Sequence, residues 1–335
     1  MRKYFCLAIM IILSVSFTGC ADQTTVVESS PTAQPEENTA PVLTVGETVT
    51  IDGTCEFQMN YVTITEHPES YFNAEAGKTY VDFCITYQNL EDYVITANNI
   101  MEGKLIYSGQ YEYEGKDTVN AKEGSSWSYA HTVKMNPSDT RQVHYYFTVP
   151  KEVQDSDRMV ELNMNIRQND YRVIVREGEK GTVPDSGSGN ASRKTSGDLT
   201  DGEVVATDNS EFYVEYSEFT KKVMPPAPNT GYRYYEADEG KIFIDICVSY
   251  KNMSTQKIMA HKAVSAKLKQ AEAQTVIVEQ FGRSNFDYAN VVSIIPLGTE
   301  YVHYIFQVPE ETAAANEQLT ISFKIDGNSY TYSVK

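Results

Sequence analysis

The sequence of 335 residues is poor in basic side chains, tryptophan and cysteine. It has 28 Lys and Arg against 46 Asp and Glu, a formal net charge of −18. Because this imbalance repels phosphate backbones, a nucleic-acid partner is not expected. The five cysteines and five histidines form no CxxC or HExxH motif, and no G-x-S-x-G elbow is present. These absences predict no metal, no cofactor and no catalytic residue.

Long hydrophobic runs are also lacking, apart from one at the N terminus. Arg2 and Lys3 precede an apolar stretch ending at Phe17, which is too short to span a bilayer and is typical of a secretory signal. The Cys20 that follows small residues resembles the lipobox of bacterial lipoproteins, although Phe17 stands where that family usually has Leu. The resemblance implies that residues 1–19 are removed and that Cys20 carries lipid, palmitate included. The alternative is an ordinary secretory signal with a chance cysteine.

Two segments lack the apolar residues needed to form a core. Residues 20–41 contain no aromatic and no basic side chain, and residues 177–203 are rich in Gly and Ser. Such composition predicts a disordered tether and a flexible linker. The rest divides into two domains, residues 42–176 and 204–335. Because the linker has no aromatic and no aliphatic run, few contacts are expected between the domains, which should then fold independently.

The two domains are copies of one sequence pattern. GKTYVDFCITYQNL at 77–90 matches GKIFIDICVSYKNM at 240–253, with six of fourteen positions identical. VHYYFTVP at 143–150 matches VHYIFQVP at 302–309. Since order and spacing are kept, the second domain is a duplicate of the first.

Both copies alternate apolar and polar residues with a period of two, which is typical of strands with one buried face. Turn signals at Asp52-Gly53 and Asp208-Asn209 predict tight hairpins. Residues 257–273 have helical propensity, but their register with the first copy favours a strand. We therefore predict an all-β chain with two immunoglobulin-like β-sandwich domains. The seven strands expected in the first copy span residues 46–51, 55–65, 79–89, 103–108, 126–135, 141–149 and 160–175.

The motifs also carry a family resemblance. The G-K-x-aromatic strand at 77–89, the strand at 104–109 and the closing strand at 145–150 resemble those of an immunoglobulin-like domain of unknown function. That domain is common in lipoproteins of Gram-positive bacteria. The second copy matches it at 240–252 and 304–309 but lacks the glycine of the middle motif. The resemblance implies fold and location, and it implies no active site.

Cysteine and histidine recur at matching positions. If their strands are neighbours, Cys84 approaches His144 and Cys247 approaches His303, away from the core face. Such pairs suit zinc or an activated thiolate, but the missing further ligands favour half-exposed structural residues. Cys55 should lie opposite residue 89, so all three cysteines are expected to be free thiols. Acidic pairs, which could hold calcium or a sugar but are more simply solvated loop residues, occur at Glu91-Asp92, Asp238-Glu239 and Glu310-Glu311.

One loop differs between the copies. Between the second and third strands the second copy is eight residues longer and contains several prolines followed by Tyr232, Arg233, Tyr234 and Tyr235. Prolines stiffen a loop, and Tyr and Arg are frequent interface anchors, so this loop is the candidate partner-binding site. The simpler alternative is that the last two tyrosines begin the next strand. Trp127 with Tyr129 is the analogous, weaker candidate in the first copy.

These features predict a lipid-anchored protein on the extracytoplasmic face of a bacterial, Gram-positive, cell membrane. It is expected to be a monomeric, non-catalytic binding or adhesion module for an unidentified protein or glycan, with the membrane contacted through the anchor. The second domain is expected to make the contact, because it is less acidic and lies farther from the anchor. The alternative is an extracytoplasmic enzyme, or an accessory subunit of an envelope transport or signalling complex.

Overall fold

The structure is a computed structural model. It describes residues 39–68, 73–115, 117–121, 126–183, 192–194, 196–225, 231–269, 276–281, 286–288, 291–315 and 318–334. The expected signal peptide, Cys20, most of the tether and residues 184–191 of the linker lie outside this part of the chain. Residues Ala40–Lys335 form one compact unit. Within the described residues no helix has the length and apolarity required to cross a membrane.

The first copy folds into strands joined mostly by tight turns. Apart from the single-turn helix α1 at Lys151–Asp155 and 3-10 turns at Ala97–Asn99 and Ala130–Thr132, its described elements are strands. They are β1 Thr48–Ile51, β2 Cys55–Thr65, β3 Lys78–Asn89, β4 Ile95–Thr96, β5 Met101–Tyr107, β6 Tyr111–Glu114, β7 Asp117–Ala121, β8 Trp127–Tyr129, β9 Lys134–Met135, β10 Thr140–Pro150, β11 Val160–Ile166 and β12 Asn169–Arg176.

The second copy repeats this order with a few additions. Its short helices are α2 at Ala260–Ala263 and α3 at Glu310–Ala314. Its strands are β13 Ser192–Arg193, β14 Ser196–Leu199, β15 Val205–Ala206, β16 Ser210–Thr220, β17 Lys222–Val223, β18 Tyr235–Glu236, β19 Lys241–Asn252, β20 Ile258–Met259, β21 Val264–Leu268, β22 Val276–Phe281, β23 Phe286–Tyr288, β24 Ser293–Ile294, β25 Thr299–Pro309, β26 Leu319–Ile325 and β27 Asn328–Val334.

Each copy is a sandwich of two sheets. In the first, the large sheet has the order β1-β2-β3-β10-β7-β8 and the small sheet β12-β11-β5-β6. In the second, the orders are β13-β15-β16-β19-β25-β22-β23 and β14-β27-β26-β21. The long central strands pair antiparallel, β3 with β10 and β19 with β25. The predicted all-β fold with two sandwiches is confirmed.

Alternation along the central strands fills the space between the sheets. Val81, Phe83, Ile85 and Tyr87 are fully buried, and they belong to a core that includes Leu105 of the opposite sheet. The second copy has a separate core with the corresponding residues. Removing this much apolar surface from water is the main favourable contribution to folding. Pro150 and Pro309 end β10 and β25, as expected of residues that lack an N–H for the ladder.

The structure corrects the predicted strands at three places. Residues 160–175 are two strands, β11 and β12, because Arg167 and Gln168 form a tight turn with positive φ of 48° and 67°. The equivalent Asp326-Gly327 in the second copy carried the usual hairpin signal. Residues 126–135 are two short strands around a 3-10 turn. Of the segment 257–273, residues 270–273 lie outside the described residues, and residues 257–269 contain both a helix and strands, since α2 precedes β21.

Both described ends of the expected linker are held by a sandwich. On the first side, Val183 is buried and its N–H donates to the Tyr111 hydroxyl at 3.2 Å. On the other, β14 pairs in parallel with β27. The expected linker, residues 177–203, therefore includes residues at both ends that pack or pair with a sandwich.

The two sandwiches contact each other through other loops, so the expectation of few crossing contacts is corrected. Leu297 of the second copy is 3% exposed and belongs to the core cluster of the first. The Tyr113 hydroxyl donates to the Pro296 carbonyl at 3.2 Å, and both groups are buried. Lys78 pairs with Glu300 at 2.8 Å. Apolar burial of this kind couples the stability of the two halves.

Candidate functional site: a duplicated cysteine, histidine and aspartate cluster

A β-bulge occurs at the same place in both copies. In β2 the register against β3 shifts between Met59 and Tyr61, so that Tyr61 lies opposite Cys84. In β16 the shift falls between Val214 and Tyr216, and Tyr216 lies opposite Cys247. An extra residue reverses the alternation beyond it. Each bulge therefore turns its tyrosine from the core to the outer face of the large sheet.

The outer face of the first sandwich holds a chain of hydrogen bonds. His144 lies opposite Cys84 across the β3–β10 ladder, and Asp82 lies two residues before Cys84 on the same face. Nδ1 of His144 is 3.1 Å from Oδ1 of Asp82, and Nε2 is 3.5 Å from Sγ of Cys84. The Tyr61 hydroxyl donates to Asp82 at 3.1 Å. The order is carboxylate, imidazole and thiol, as in a cysteine nucleophile with its base.

The second sandwich repeats the arrangement. Nδ1 of His303 is 2.8 Å from Oδ1 of Asp245, and Cys247 lies opposite His303 in the register. The Tyr216 hydroxyl reaches Asp245 at 3.4 Å. We call each set of Tyr, Asp, Cys and His a cluster: Tyr61, Asp82, Cys84 and His144 in the first copy, and Tyr216, Asp245, Cys247 and His303 in the second.

Aromatic rings cover both clusters. Trp127 lies edge-on to His144 with centroids 4.6 Å apart, and Tyr61 packs on the same imidazole. In the second copy Phe286 and Tyr216 pack on His303 at 5.4 and 5.9 Å. The side chains of His144 and His303 are 0% exposed, and those of the two aspartates are 1% exposed. The outer face expected to be half-exposed is therefore buried.

Burial sets the protonation of these groups. It disfavours the charged form of His144, but hydrogen bonds to Asp82 and Cys84 outweigh it and raise the pKa of the imidazole to about 9. At neutral pH His144 is thus an imidazolium paired with the Asp82 carboxylate. In the second copy, burial, followed by the Asp245 and Glu215 carboxylates, raises the pKa of the Cys247 thiol. A protonated thiol is not a nucleophile.

Chemically, each cluster is a sealed polar network in the middle of a sheet. Protonation of His144 does not by itself exclude a cysteine nucleophile, because a thiolate beside an imidazolium is the activated form of a Cys–His pair. No substrate reaches groups with no exposed surface. What the network does is satisfy a buried carboxylate and imidazole and hold neighbouring strands in register.

Some of the residues of the two clusters were predicted from the sequence, and others were missed. The pairing of Cys84 with His144, and of Cys247 with His303, follows from the alternation and is found. The aspartates were missed, although alternation places an Asp two residues before each Cys on the same face. The tyrosines could not be found, because a bulge reverses the face they occupy. Trp127, taken as a weak binding candidate, instead covers the first cluster. Among the described residues, no group of three or more His, Cys, Asp or Glu side chains is placed so that it could hold a metal ion.

The three cysteines should be inert while the chain is folded. Cys55, Cys84 and Cys247 are free and buried, and burial raises the pKa of the Cys55 thiol. Cys55 lies opposite Asn89, as expected. A thiol reagent is therefore expected to label none of them in native protein and all three after denaturation. Trp127→Ala should open Cys84 to labelling, whereas Tyr129→Ala, at an exposed neighbour, should not. Rapid labelling of the native wild type would contradict the sealed cluster.

The candidate loop divides into two parts. Met224 and Tyr234 are 43% and 48% exposed, and the Lys222 ammonium lies 3.9 Å from the centroid of the Tyr234 ring. The Tyr232 hydroxyl contacts the Met224 sulfur at 3.7 Å. Arg233 is exposed. Met224, Tyr232, Arg233 and Tyr234 are called the aromatic patch below.

Tyr235 has a different role. It belongs to β18 and packs on Phe286 with ring centroids 6.1 Å apart, beside a small apolar cluster of Val223, Phe243, Phe286 and Ile305. Tyr235 therefore packs on the ring that covers His303 and ties the end of the loop to this apolar cluster. Tyr235 begins a strand, but that strand is the two-residue β18, which pairs with β17, and the third long strand of the copy, β19, begins only at Lys241.

The acidic pairs make ion pairs with basic side chains. Glu91 pairs with Arg167, Asp238 with Lys241 at 3.6 Å, and Glu310 with Lys221.

Comparisons with known proteins name no activity for this chain. No protein-family model and no curated protein matches the chain. One similar solved structure is an uncharacterized β-sandwich protein from Clostridium difficile 630, with 27% identity and a TM-score of 0.38, covering 46% of this chain and 100% of that one. Another is a conserved hypothetical protein from Bacillus anthracis, with 12% identity and a TM-score of 0.28, covering 44% of this chain and 95% of that one.

Proposed function

We propose that this chain is a lipid-anchored, extracytoplasmic binding protein of a Gram-positive bacterium, a lipoprotein whose immunoglobulin-like sandwiches present a non-catalytic contact surface. The anchor rests on the N-terminal signal and Cys20. The binding role rests on one observation above all, the aromatic patch on the second sandwich. Two exposed or half-exposed tyrosines and a methionine adjoin there, and the next residue, Tyr235, packs on Phe286.

The aromatic patch has the residue composition that is typical of the centre of a protein–protein interface. Tyrosine and arginine carry much of the binding energy in protein interfaces, because they bring large contact area with few rotatable bonds. The cation–π contact with Lys222 orders the Tyr234 ring before any partner arrives, which lowers the entropic cost of binding. The sealed clusters are consistent with a protein that binds rather than transforms its partner.

The proposal is tested with fluorescently labelled full-length protein and isolated envelopes of the producing bacterium. Wild type is expected to bind saturably, and the Tyr232→Ala, Tyr234→Ala double variant to bind about tenfold more weakly or worse. Tyr129→Ala removes a tyrosine of similar exposure from the first sandwich and serves as the matched control. Equal binding by all three proteins would overturn the role of the patch.

The anchor is tested separately by fractionating cells. Wild type should partition into the detergent phase, because a diacyl chain holds a protein stably on a membrane. Cys20→Ser should become soluble or keep its signal. Detergent-phase partitioning of a processed Cys20→Ser protein would refute the lipid anchor.

A further inference from the structure

The outer face of the small sheet in the second sandwich carries lysines and small hydroxyl side chains. Along β21 the outward residues are Ser265 and Lys267, with Lys269 directly after the strand. Across the ladder, Ser265 lies opposite Lys324, Lys267 lies opposite Ser322, and the Lys269 N–H donates to the Thr320 carbonyl at 3.0 Å. On the next strand, β27, the residues opposite Lys324, Ser322 and Thr320 are Ser329, Thr331 and Ser333. These nine residues are called the basic face.

The basic face contains a depression of about 480 Å³. Lys267, Lys269 and Lys324, all exposed, rise around a floor of hydroxyl groups and of Phe323 and Tyr330, whose side chains are otherwise buried. This volume is in the range of small-ligand sites. None of the three lysines has a carboxylate within ion-pair distance among the described residues. The acidic side chain beside the basic face is Asp198 of the neighbouring strand β14, which accepts a hydrogen bond from Thr331.

The first sandwich supplies an internal comparison. The ladder pairs Lys104 with Asn163 and then Arg172, as it pairs Lys267 with Ser322 and then Thr331. By this register, nine outward positions of the small sheet in the first copy are structurally equivalent to the nine of the basic face. In the first copy they hold three acids and two bases: Glu102, Lys104, Ile106, Glu161, Asn163, Asn165, Asp170, Arg172 and Ile174. In the second copy they hold three lysines and no acid.

The outer face of the small sheet therefore carries acids and bases together in the first copy and only positive charge at the same nine positions in the second copy. Where the first copy has Glu102, Glu161 and Asp170, the second has Ser265, Thr320 and Ser329, and two further lysines replace Ile106 and Asn165. In the first copy Lys104 is paired with Glu112 at 2.8 Å, and Arg172 lies 3.9 Å from Glu161. A chain of net charge −18 thus keeps these nine positions free of acids, and Asp198 on the neighbouring strand β14 is the acid that adjoins them.

We propose that the basic face binds an anionic glycan, a sugar chain bearing carboxylate or phosphate groups. The lysines match its charges, and the serine and threonine hydroxyls can donate to and accept from sugar hydroxyls. The nine positions carry no apolar side chain, so a hydrophobic partner does not fit. The rest of the protein repels a long uniform polyanion such as nucleic acid. The inference goes beyond the proposed function and is independent of the aromatic patch, which flanks the two-stranded sheet of β17 and β18.

The test measures binding of full-length protein in nonionic detergent to immobilised probes at low ionic strength. The probes are an oligogalacturonide, a phosphomannan, neutral dextran, polyglutamate and oligo-dT. Binding to at least one of the two anionic glycans and to none of the other three is expected. The Lys267→Ala, Lys269→Ala, Lys324→Ala variant should bind at least about tenfold more weakly. The corresponding Lys→Arg variant should retain binding.

The matched control removes the same charge from the first sandwich, with Lys104, Lys134 and Lys180 changed to Ala, and should bind like wild type. A circular-dichroism melt confirms that each variant is folded, which is expected because the three lysines are exposed. Failure to bind either anionic glycan would overturn the proposal, as would equal binding to polyglutamate or oligo-dT. Equal loss in both triple variants would also overturn it, by showing that net charge alone acts.

Discussion

Raising the pH from 6.5 to 9.5 is expected to lower the free energy of unfolding by about 3 kcal/mol through His144 alone. The pKa of His144 is about 9 in the folded chain, and its ordinary value is 6.5. The folded state therefore holds this proton more tightly than the unfolded state. The stabilisation is complete below pH 6.5 and is lost as the pH rises through 9. Urea unfolding at a series of pH values measures it.

The variant His144→Gln separates this effect from other titrations. Removing one partner of a buried ion pair leaves the Asp82 carboxylate without its charge partner, so the variant should be about 3–5 kcal/mol less stable at pH 6.5. Its stability should also vary less between pH 6.5 and 9.5. His131→Gln is the control, because His131 lies in the same sandwich and is exposed. An unchanged pH dependence in His144→Gln would show that the imidazole is not charged in the folded chain.

Leu297→Ala is expected to lose about 2–4 kcal/mol of stability and to weaken both sandwiches. Leu297 belongs to the second copy, yet its side chain packs in the core cluster of the first. Hydrogen exchange should therefore quicken at the Tyr113 strand as well as around residue 297. Val291→Ala, at a position that is 68% exposed in the same region, should change stability by less than about 0.5 kcal/mol. Faster exchange confined to the second sandwich would contradict the coupling.

Features of the fold that depend on neighbouring residues along the chain could be predicted from the sequence. Alternation in β3 and β10 predicts the strands, their buried faces and the pairing of Cys84 with His144, because a strand's period is two wherever it is regular. It fails at Tyr61 and Tyr216, where a bulge reverses the face, and a bulge has no composition signal here. The turn at Arg167-Gln168 was missed because neither residue is a glycine or asparagine.

Contacts between distant segments could not be predicted from either copy alone. The linker composition gave no sign that Leu297 would enter the first core, because the contact runs through a different loop. The aromatic patch was recognised from its tyrosines and arginine, whereas the role of Tyr235 required knowing what lies beneath it. The basic face becomes visible only when the ladder register equates Glu102 with Ser265 and Asn165 with Lys324.

The structural role of the duplicated clusters is tested most directly by NMR titration of the His144 imidazole nitrogens in selectively labelled protein. The structure predicts that both nitrogens stay protonated at neutral pH and titrate together near pH 9. A histidine that titrates near its ordinary pKa of 6.5, with one nitrogen unprotonated at pH 7.5, would contradict it. That result would show that no imidazolium–carboxylate pair holds the first cluster together.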